Sequence, residues 1–493
     1  MATAIRAGNR RATVTATLTN RVAVTDLPAG VSDLEIRADL TGDIDPRPLR
    51  GQVPGRLVYS LRSTSRGGNG PDSPDRRMRR LLEAACHYDV VDLEAPHDLR
   101  PELLARIPAQ QRRVSWHGPP LGVAALRGQF DRMADVPAHL YLLAPAIATF
   151  EQALAPLRFL ARLGRRDVTA FGTGPAGTWS RLVAPWLGAP VVFGRLHPHD
   201  TLGVPTVRAL LTDYPFPELP AIDRLYGIAG ARAAHSLSPR LHNAALRRLG
   251  LPGLFLPFPT DEIAYVLAEL TSGLAELGLP LCGLTVAAPN KETVLTIAAG
   301  TSAGAGEGHS ANILVPAEEG WYADSTDGTA VIAALDALGV DCREVAAAVI
   351  GCGGAGRAAA VELVRAGADV TLVNRGVDRG QFAHRILGLP VIPLASFAPA
   401  QYQVVVHATP LHDEVPFATD ELTPGTVVLD FVYRDRVTAL MASCRERGLT
   451  TVDGWEVLLG EVRRQFRLMT GATMPDNEDP DQGGTPSAGM DDR

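Results

Sequence analysis

Through the first 220 residues, short apolar runs of strand length alternate with stretches whose apolar residues recur at helical spacing. The runs are Ala12–Leu18, Leu57-Val-Tyr-Ser-Leu, Val90-Val-Asp-Leu, Val114-Ser-Trp, Leu140-Tyr-Leu-Leu-Ala and Val168-Thr-Ala-Phe, and the stretches 75–86 and 150–163 between them read as helices. That rhythm predicts a parallel α/β fold, and its count suits a (β/α)8 barrel. Polar residues gather where the runs end: Glu35 and Arg37, Arg62, Glu94, His117 and Arg181. In such a barrel the carboxyl ends of the strands form the active face.

From 224 onward the pattern changes. Leu225-Tyr-Gly-Ile-Ala-Gly reads as a strand. Ser238-Pro239 reads as the cap and first position of a helix, and with Ser236 it offers two hydroxyls that suit a carboxylate. Strands at 254–257 and 282–286 flank a helix over 260–274, and Pro289-Asn-Lys291-Glu reads as the opening of the next helix. Lys291 is thereby expected in a first helical turn, where the positive dipole end lowers an ammonium pKa. A further βα unit follows. Gly351-Cys-Gly353-Gly354-Ala355-Gly356 comes after one strand and opens a helix, and a second strand ends at Asn374-Arg375 with Arg379 close behind. Sites for NAD place an acid at that second strand end, whereas a basic pair there suits the 2′-phosphate of NADP. The chain is expected to divide into a barrel (1–220), an α/β substrate-binding domain (224–330), a Rossmann domain with a closing C-terminal helix (331–475) and a disordered acidic tail (476–493).

Composition sharpens this picture at four points. The 493 residues carry a formal charge of −7, which gives no reason to expect nucleic acid or an anionic membrane as partner. The five cysteines are scattered without metal-ligand spacing, so reduced thiols in a cytoplasmic protein and no metal are expected. No apolar run approaches the ~18 residues of a membrane span. Most pointed, Lys291 is the only lysine among 47 basic Lys and Arg side chains. An ammonium can give up and regain a proton where a guanidinium cannot, so a sole surviving lysine points to proton chemistry.

The first half resembles type I 3-dehydroquinate dehydratase. The resemblance rests on Leu34-Glu-Ile-Arg37, Ser60-Leu-Arg62-Ser with Gly67-Gly68, Val91-Asp-Leu-Glu94, Val114-Ser-Trp-His117 and Gly174-Pro-Ala-Gly177-Thr-Trp-Ser180-Arg181. It implies dehydration through a lysine imine. The strand that should supply the lysine reads His139-Leu-Tyr141-Leu-Leu-Ala, so Tyr141 or a neighbouring leucine stands in its place. An arginine cannot form the imine. The closing loop, which in that family carries Pro-Gly-Gln, reads Leu202-Gly-Val204. The barrel is therefore expected not to be a Schiff-base dehydratase. Either it is a degenerate scaffold or partner surface, or its vestigial site of Glu35, Arg37, Arg62, Glu94, His117 and Arg181 still binds an anionic cyclic acid.

The second half resembles shikimate dehydrogenase, and the whole layout resembles the fused dehydratase–dehydrogenase of plants. The motifs, in family order, are Ser236-Leu-Ser238-Pro, Pro289-Asn-Lys291, Asn312, Ser325-Thr-Asp327-Gly, the glycine turn, Val373-Asn-Arg, Ala408-Thr-Pro, Leu429-Asp-Phe-Val-Tyr433 and Asp453-Gly-Trp. The resemblance implies NADPH-dependent reduction of 3-dehydroshikimate to shikimate, a cyclic hydroxy acid, in chorismate and aromatic amino acid biosynthesis. It implies Lys291 and Asp327 as the proton-transfer pair and Ser236, Ser238, Asn312, Tyr433 and the position of Glu461 as substrate contacts. The cofactor would be held by Gly351, Gly353, Gly354, Ala355, Gly356, Asn374, Arg375, Arg379, Thr409 and Gly454. The chain also departs from the family. Ala287 replaces a substrate-binding threonine, Glu461 a glutamine, Ser325 an asparagine, and His407 and His412 an asparagine and a glycine. A charged Glu461 would repel an anionic substrate unless it turned away, were protonated, or met an amine on the substrate. Alternatives are therefore an NADP-dependent dehydrogenase of quinate or an amino-substituted analogue, a bifunctional dehydratase–dehydrogenase, and an NADP-binding scaffold or regulator. The sequence defines no oligomeric state.

Overall fold

The computed structural model describes residues 10–476, apart from 22–23, 25–26, 198–202 and 435. The predicted tail from 477 on and Leu202 of the closing loop lie outside the described residues. The chain forms two compact units that divide between 281 and 282.

In the first unit, eight parallel strands form one sheet: β1 (Thr13–Leu18), β2 (Asp33–Arg37), β3 (Leu57–Ser60), β4 (Val90–Glu94), β5 (Arg112–Trp116), β6 (Leu140–Leu143), β7 (Val168–Ala170) and β8 (Val191–Arg195). Their order is β7-β6-β5-β4-β3-β2-β1-β8, so the sheet curls into a nearly closed barrel. Strands β3 to β7 are buried along their whole length, as expected where helices cover one face and the barrel interior the other. Among those helices are α1 (Pro74–Ala85), α2 (Val123–Ala134) and α3 (Phe150–Leu163). The parallel α/β barrel read from the sequence is present.

The same unit continues through the parallel pair β9 (Arg224–Gly230) and β10 (Gly253–Pro259) with α4 (Ser238–Arg248) and α5 (Ile263–Glu276). These pack against the barrel. The rings of Trp179 and Phe150 meet Phe258 at 5.9 and 6.2 Å, and Arg158 of α3 bonds Glu276 of α5 at 2.7 Å. The division between units consequently falls inside the stretch 224–330 rather than at its start.

The second unit begins with β11 (Leu281–Val286), which pairs antiparallel with β12 (Ile313–Ala317), itself antiparallel to β13 (Gly320–Asp324). Helix α6 (Asp327–Ala337) leads into six parallel strands: β14 (Ala346–Ile350), β15 (Asp369–Asn374), β16 (Val391–Pro393), β17 (Val404–His407), β18 (Val427–Asp430) and β19 (Thr450–Val452). The order β16-β15-β14-β17-β18-β19 reverses direction between β14 and β17. That reversal opens the crevice in which doubly wound sheets hold dinucleotides. One face is closed by a cluster including Val349, Leu363, Leu372 and Val406, the other by one including Ile350, Val405, Val428 and Met441. Helices α7 (Gly354–Arg365), α8 (Val377–Leu387), α9 (Ala439–Glu446) and α10 (Gly454–Thr470) complete the unit. Asp453 starts α10 with a capping box, its carboxylate accepting from Trp455 and Glu456 N–H while Glu456 accepts from Asp453 N–H.

Candidate active site

Lys291 does not sit in a helix as expected. Residues 289–292 form a turn, followed by a single 3-10 turn at Thr293–Thr296. The Lys291 carbonyl accepts from Ala311 N–H at 2.8 Å, a bond to a neighbouring loop that takes the place of a helical one. The loop aims the ammonium at Asp327, the first residue of α6, with Nζ 2.9 and 2.7 Å from the two carboxylate oxygens. Asn312 fixes that carboxylate. Its Nδ2 donates to Asp327 Oδ1 at 2.9 Å, and its Oδ1 accepts from Thr326 N–H at 2.7 Å. Gln465 of α10 donates to Thr326 Oγ1 at 3.1 Å and accepts from Thr285 Oγ1 at 3.3 Å. Gln465 belongs to the last stretch of the family resemblance and Thr326 to Ser325-Thr-Asp327-Gly, but the sequence reading gave neither of them a role.

The direction of the lysine shift also corrects the expectation. Burial pushes the Lys291 ammonium down, but the charges of Asp327 and Glu461 and the Asp327 hydrogen bonds outweigh it and hold the group above the ordinary lysine value. A positive dipole end is worth at most about 2 kcal/mol, and here no α-helix starts at the lysine. Glu461, on α10, moves the other way from a surface carboxylate. Burial and then the nearby Asp327 charge push it up to about 8, against the pull of Lys291. A carboxyl raised in this way takes up a proton more readily than one at the surface, and in its protonated form it donates a hydrogen bond instead of repelling an anion. The cluster thus presents an ammonium anchored by the Asp327 carboxylate, with the Glu461 carboxyl acting on its charge. Tyr433 is exposed at 36%.

Ser236 and Ser238 belong to the first unit, where Ser236 Oγ accepts from Ser238 N–H at 3.1 Å and lies 3.1 Å from Ser238 Oγ. The cap position is Leu237, and Ser238 is already the first residue of α4. Ser236, one residue before the cap, does the side-chain capping instead.

The glycine turn fits a dinucleotide. Gly351 has φ of +110°, and a Cβ on Gly356 would stand 1.8 Å from the Gly351 carbonyl oxygen, so neither position takes a side chain. A Cβ on Gly353, just before α7, would meet open space, which leaves the helix start open to a pyrophosphate. Beside it, Ser310 Oγ is buried with no hydrogen-bond partner among the described residues and lies 2.5 Å from where a Cβ on Gly354 would stand. Ala355 lies in the first turn of α7. Arg357 ties this turn to the lysine loop, bonding Cys352 O at 2.9 Å, Gly308 O at 2.9 Å, His309 O at 3.0 Å and Glu292 at 2.7 Å. The Asn374 amide bridges Cys352 N–H and Gly376 O, so that side chain shapes the turn. Arg375 and Arg379 are exposed and make no ion pair among the described residues. Thr409 lies against Gly351, its Cγ2 2.9 Å from where a Cβ there would stand. Gly454, the first residue of α10, passes so close to Val432 O that a Cβ would come within 2.2 Å.

In the barrel, Tyr141 turns outward: its ring packs edge-on against Phe130 of α2 and its hydroxyl donates to Val136 O at 2.8 Å. Alternation along β6 then puts Leu140 and Leu142 on the interior face. Much of the polar interior is paired. Glu35 bonds Arg113, and Arg113 bonds Asp92 at 2.6 Å. Glu94 meets Arg77 at 3.0 Å, and Arg37 grips Asp39 through two bonds of 2.8 Å. Burial would raise Glu35, but Arg113, Arg37 and Arg62 hold it down to about 2. His117 is pushed well below its ordinary value by burial and by Arg62 and Arg37, and is neutral. Arg62 and Arg181 are each lowered to about 10, by burial first, and their buried Nε atoms lack partners among the described residues. Arg181 stacks over Phe171 at 4.1 Å.

A doubly wound sheet with an open glycine turn, next to a lysine–carboxylate pair, defines a nucleotide-dependent dehydrogenase class of protein. Residues 228–314 match the family described as shikimate dehydrogenase substrate binding domain, and residues 13–218 match type I 3-dehydroquinase. A shikimate dehydrogenase (NADP(+)) from Acidiphilium cryptum is 37% identical over 259 residues, covering 51% of this chain and 91% of the relative. The chloroplastic bifunctional 3-dehydroquinate dehydratase/shikimate dehydrogenase of Arabidopsis thaliana is 26% identical over 489 residues, 90% of this chain and 79% of that protein. A shikimate 5-dehydrogenase from Thermus thermophilus, solved in complex with NADP(H) and shikimate, is 28% identical, covers 51% of this chain and 95% of that one, and has a TM-score of 0.46. The chain belongs to the shikimate dehydrogenase family and carries a type I 3-dehydroquinase domain before it.

Proposed function

We propose that the chain is an NADP-dependent shikimate dehydrogenase that reduces 3-dehydroshikimate to shikimate, behind a barrel that does no imine chemistry. NADPH, when bound, would supply a hydride to the carbonyl carbon. The carbonyl oxygen would take up the π pair as an alkoxide, and the Lys291 ammonium, held charged by Asp327, would hydrogen-bond that oxygen and donate the proton to it. Ser236 and Ser238 are assigned to the substrate carboxylate, Asn312 and Tyr433 to its ring hydroxyls. Gly351, Gly353, Gly354, Ala355, Gly356, Thr409 and Gly454 would cradle the dinucleotide, with Asn374 shaping the turn and Arg375 and Arg379 placed for a 2′-phosphate. Glu461 takes the position that the family resemblance assigns to a glutamine, and its raised carboxyl, once protonated, would donate as an amide does. The observation that carries the reading is the double contact between the chain's sole lysine and Asp327.

The absence of a lysine from residues 1–281 carries the proposal about the barrel. The vestigial site of Glu35, Arg37, Arg62, Glu94, His117 and Arg181 keeps two guanidiniums, those of Arg62 and Arg181, with no ion pair among the described residues, which suits residual binding of an anionic acid. Among the described residues no helix is long and apolar enough to cross a membrane, in keeping with a cytoplasmic role. The test is turnover of NADP with shikimate by the full chain, with quinate and with NAD as parallel arms. Quinate turnover without shikimate turnover would move the substrate assignment to the pocket altered at Ala287 and Glu461.

A further inference from the structure

The dinucleotide sheet holds a polar chain that its packing does not require. Strand β17 runs Val404-Val-Val-His407 and β18 runs Val427-Val-Leu-Asp430, and the ladder sets His407 opposite Asp430 at the carboxyl end of both. Both side chains are fully buried, at 0% exposure. His407 Nδ1 lies 2.9 Å from Asp430 Oδ1, and His407 Nε2 lies 2.5 Å from Thr409 Oγ1. The Asp430 carboxylate also accepts from Val432 N–H at 3.0 Å and from the Thr438 hydroxyl at 2.7 Å. A carboxylate only accepts, so Nδ1 carries the hydrogen on that side. The imidazole is then fixed in orientation, and its Nε2 fixes the Thr409 hydroxyl.

Burying an acid, an imidazole and a hydroxyl at the end of a valine strand removes polar atoms from water, and an apolar residue at 407 would avoid that desolvation. The outer end of the chain accounts for it. Thr409 is half-buried and rests against Gly351, at the carboxyl ends of β14 and β17 where the strand order reverses. We infer that Asp430 and His407 are positioning residues: by taking the hydroxyl hydrogen of Thr409 they fix its side chain with the methyl against Gly351 and leave an oxygen lone pair to accept from the nicotinamide dinucleotide, and so set its affinity. The inference rests on the cofactor reading above. Neither His407 nor Asp430 reaches the crevice; both act through Thr409. The competing account is that His407 only satisfies Asp430, whose carboxylate shapes the loop between β18 and α9.

The test is fluorescence titration of NADPH into the full chain and into Thr409→Val, Thr409→Ser, His407→Gln and the T409V/H407Q double variant. Thr409→Val, which removes the hydroxyl and keeps the volume, is expected to weaken NADPH binding about tenfold. Thr409→Ser is expected to restore it. His407→Gln weakens binding in the parent but adds no further loss in the T409V background, because its effect passes through the hydroxyl. In steady state the KM for NADP rises while kcat and the KM for the cyclic acid hold. Unchanged affinity in Thr409→Val overturns the inference, and so does an equal loss from His407→Gln in both backgrounds. A parent chain that binds no NADPH overturns the cofactor reading and this inference together.

Discussion

The barrel and the dehydrogenase site both bury charged groups, but they arrange them differently. In the barrel most of the charge is locked into closed pairs: Arg113 with Glu35 and Asp92, Arg77 with Glu94 and Asp98, Arg37 with Asp39. Such pairs hold a structure together at best. The residues left over, Arg62, Arg181 and His117, can attract an anion but offer no primary amine for an imine. In the second unit a single ammonium meets the Asp327 carboxylate, which Asn312, Thr326 and Gln465 brace, beside an open glycine turn. The difference teaches that one α/β architecture can close its buried charges into pairs while another leaves an amine facing a carboxylate. The chain's one lysine lies in the second unit, and the first has none.

The comparison breaks most visibly at Lys291. Lys291→Ala is expected to lower kcat by about a thousandfold while the chain still binds NADPH; stopped-flow reduction and a fluorescence titration read the two separately. Survival of turnover would mean that the pair is structural, as the barrel pairs are. The barrel offers the reverse test. Borohydride added to the Lys291→Ala chain with 3-dehydroquinate is expected to leave its mass unchanged, since the barrel holds no lysine to trap. A reduced adduct, or any dehydratase turnover, would contradict the division drawn between the two halves.

A smaller effect sharpens the substrate assignment. Ala287→Thr adds a hydroxyl in the loop that carries Lys291, and a regained hydrogen bond to a charged ligand is worth about 1.5–3 kcal/mol. The KM for shikimate should accordingly fall at least severalfold, with kcat little changed. A KM that stays put or rises would show that the pocket has been rebuilt for another acid.

The smallest effect concerns Glu461. Its carboxyl loses the proton near 4.5 when unperturbed and near 8 in the folded site. The stability it contributes is therefore complete below the lower value and lost as pH rises through the upper one. Glu461→Gln should flatten the fall in melting temperature between about pH 5 and about pH 9, a change bounded by about 1.4 kcal/mol per pH unit for one proton. Parallel melting curves for parent and variant would show that Glu461 is already ionised at neutral pH.

Much of this was legible in the chain. Strand-length apolar runs alternating with helical ones specified both parallel sheets, because burial on two faces leaves a continuous apolar signature. Lys291 stood out through composition, and Gly351, Gly353 and Gly356 through a spacing that only a tight turn requires. What escaped depends on charges brought together by folding. The loop at 289–292 looked like a helix start because Pro and Asn favour one, but the bond from Ala311 to the Lys291 carbonyl takes precedence. The rise of the lysine pKa comes from Asp327 and Glu461, which sequence separates from it. His407 ends a valine run and reads as a strand terminus until Asp430 and Thr409 are seen on either side of its ring.

The most direct test of the account is the growth of NADPH absorbance when the purified full chain meets NADP and shikimate, run beside Lys291→Ala. The account predicts steady reduction by the parent and almost none by the variant, although both bind NADPH. Equal rates from the two proteins, or binding of NADPH and shikimate with no turnover in the parent, would contradict it.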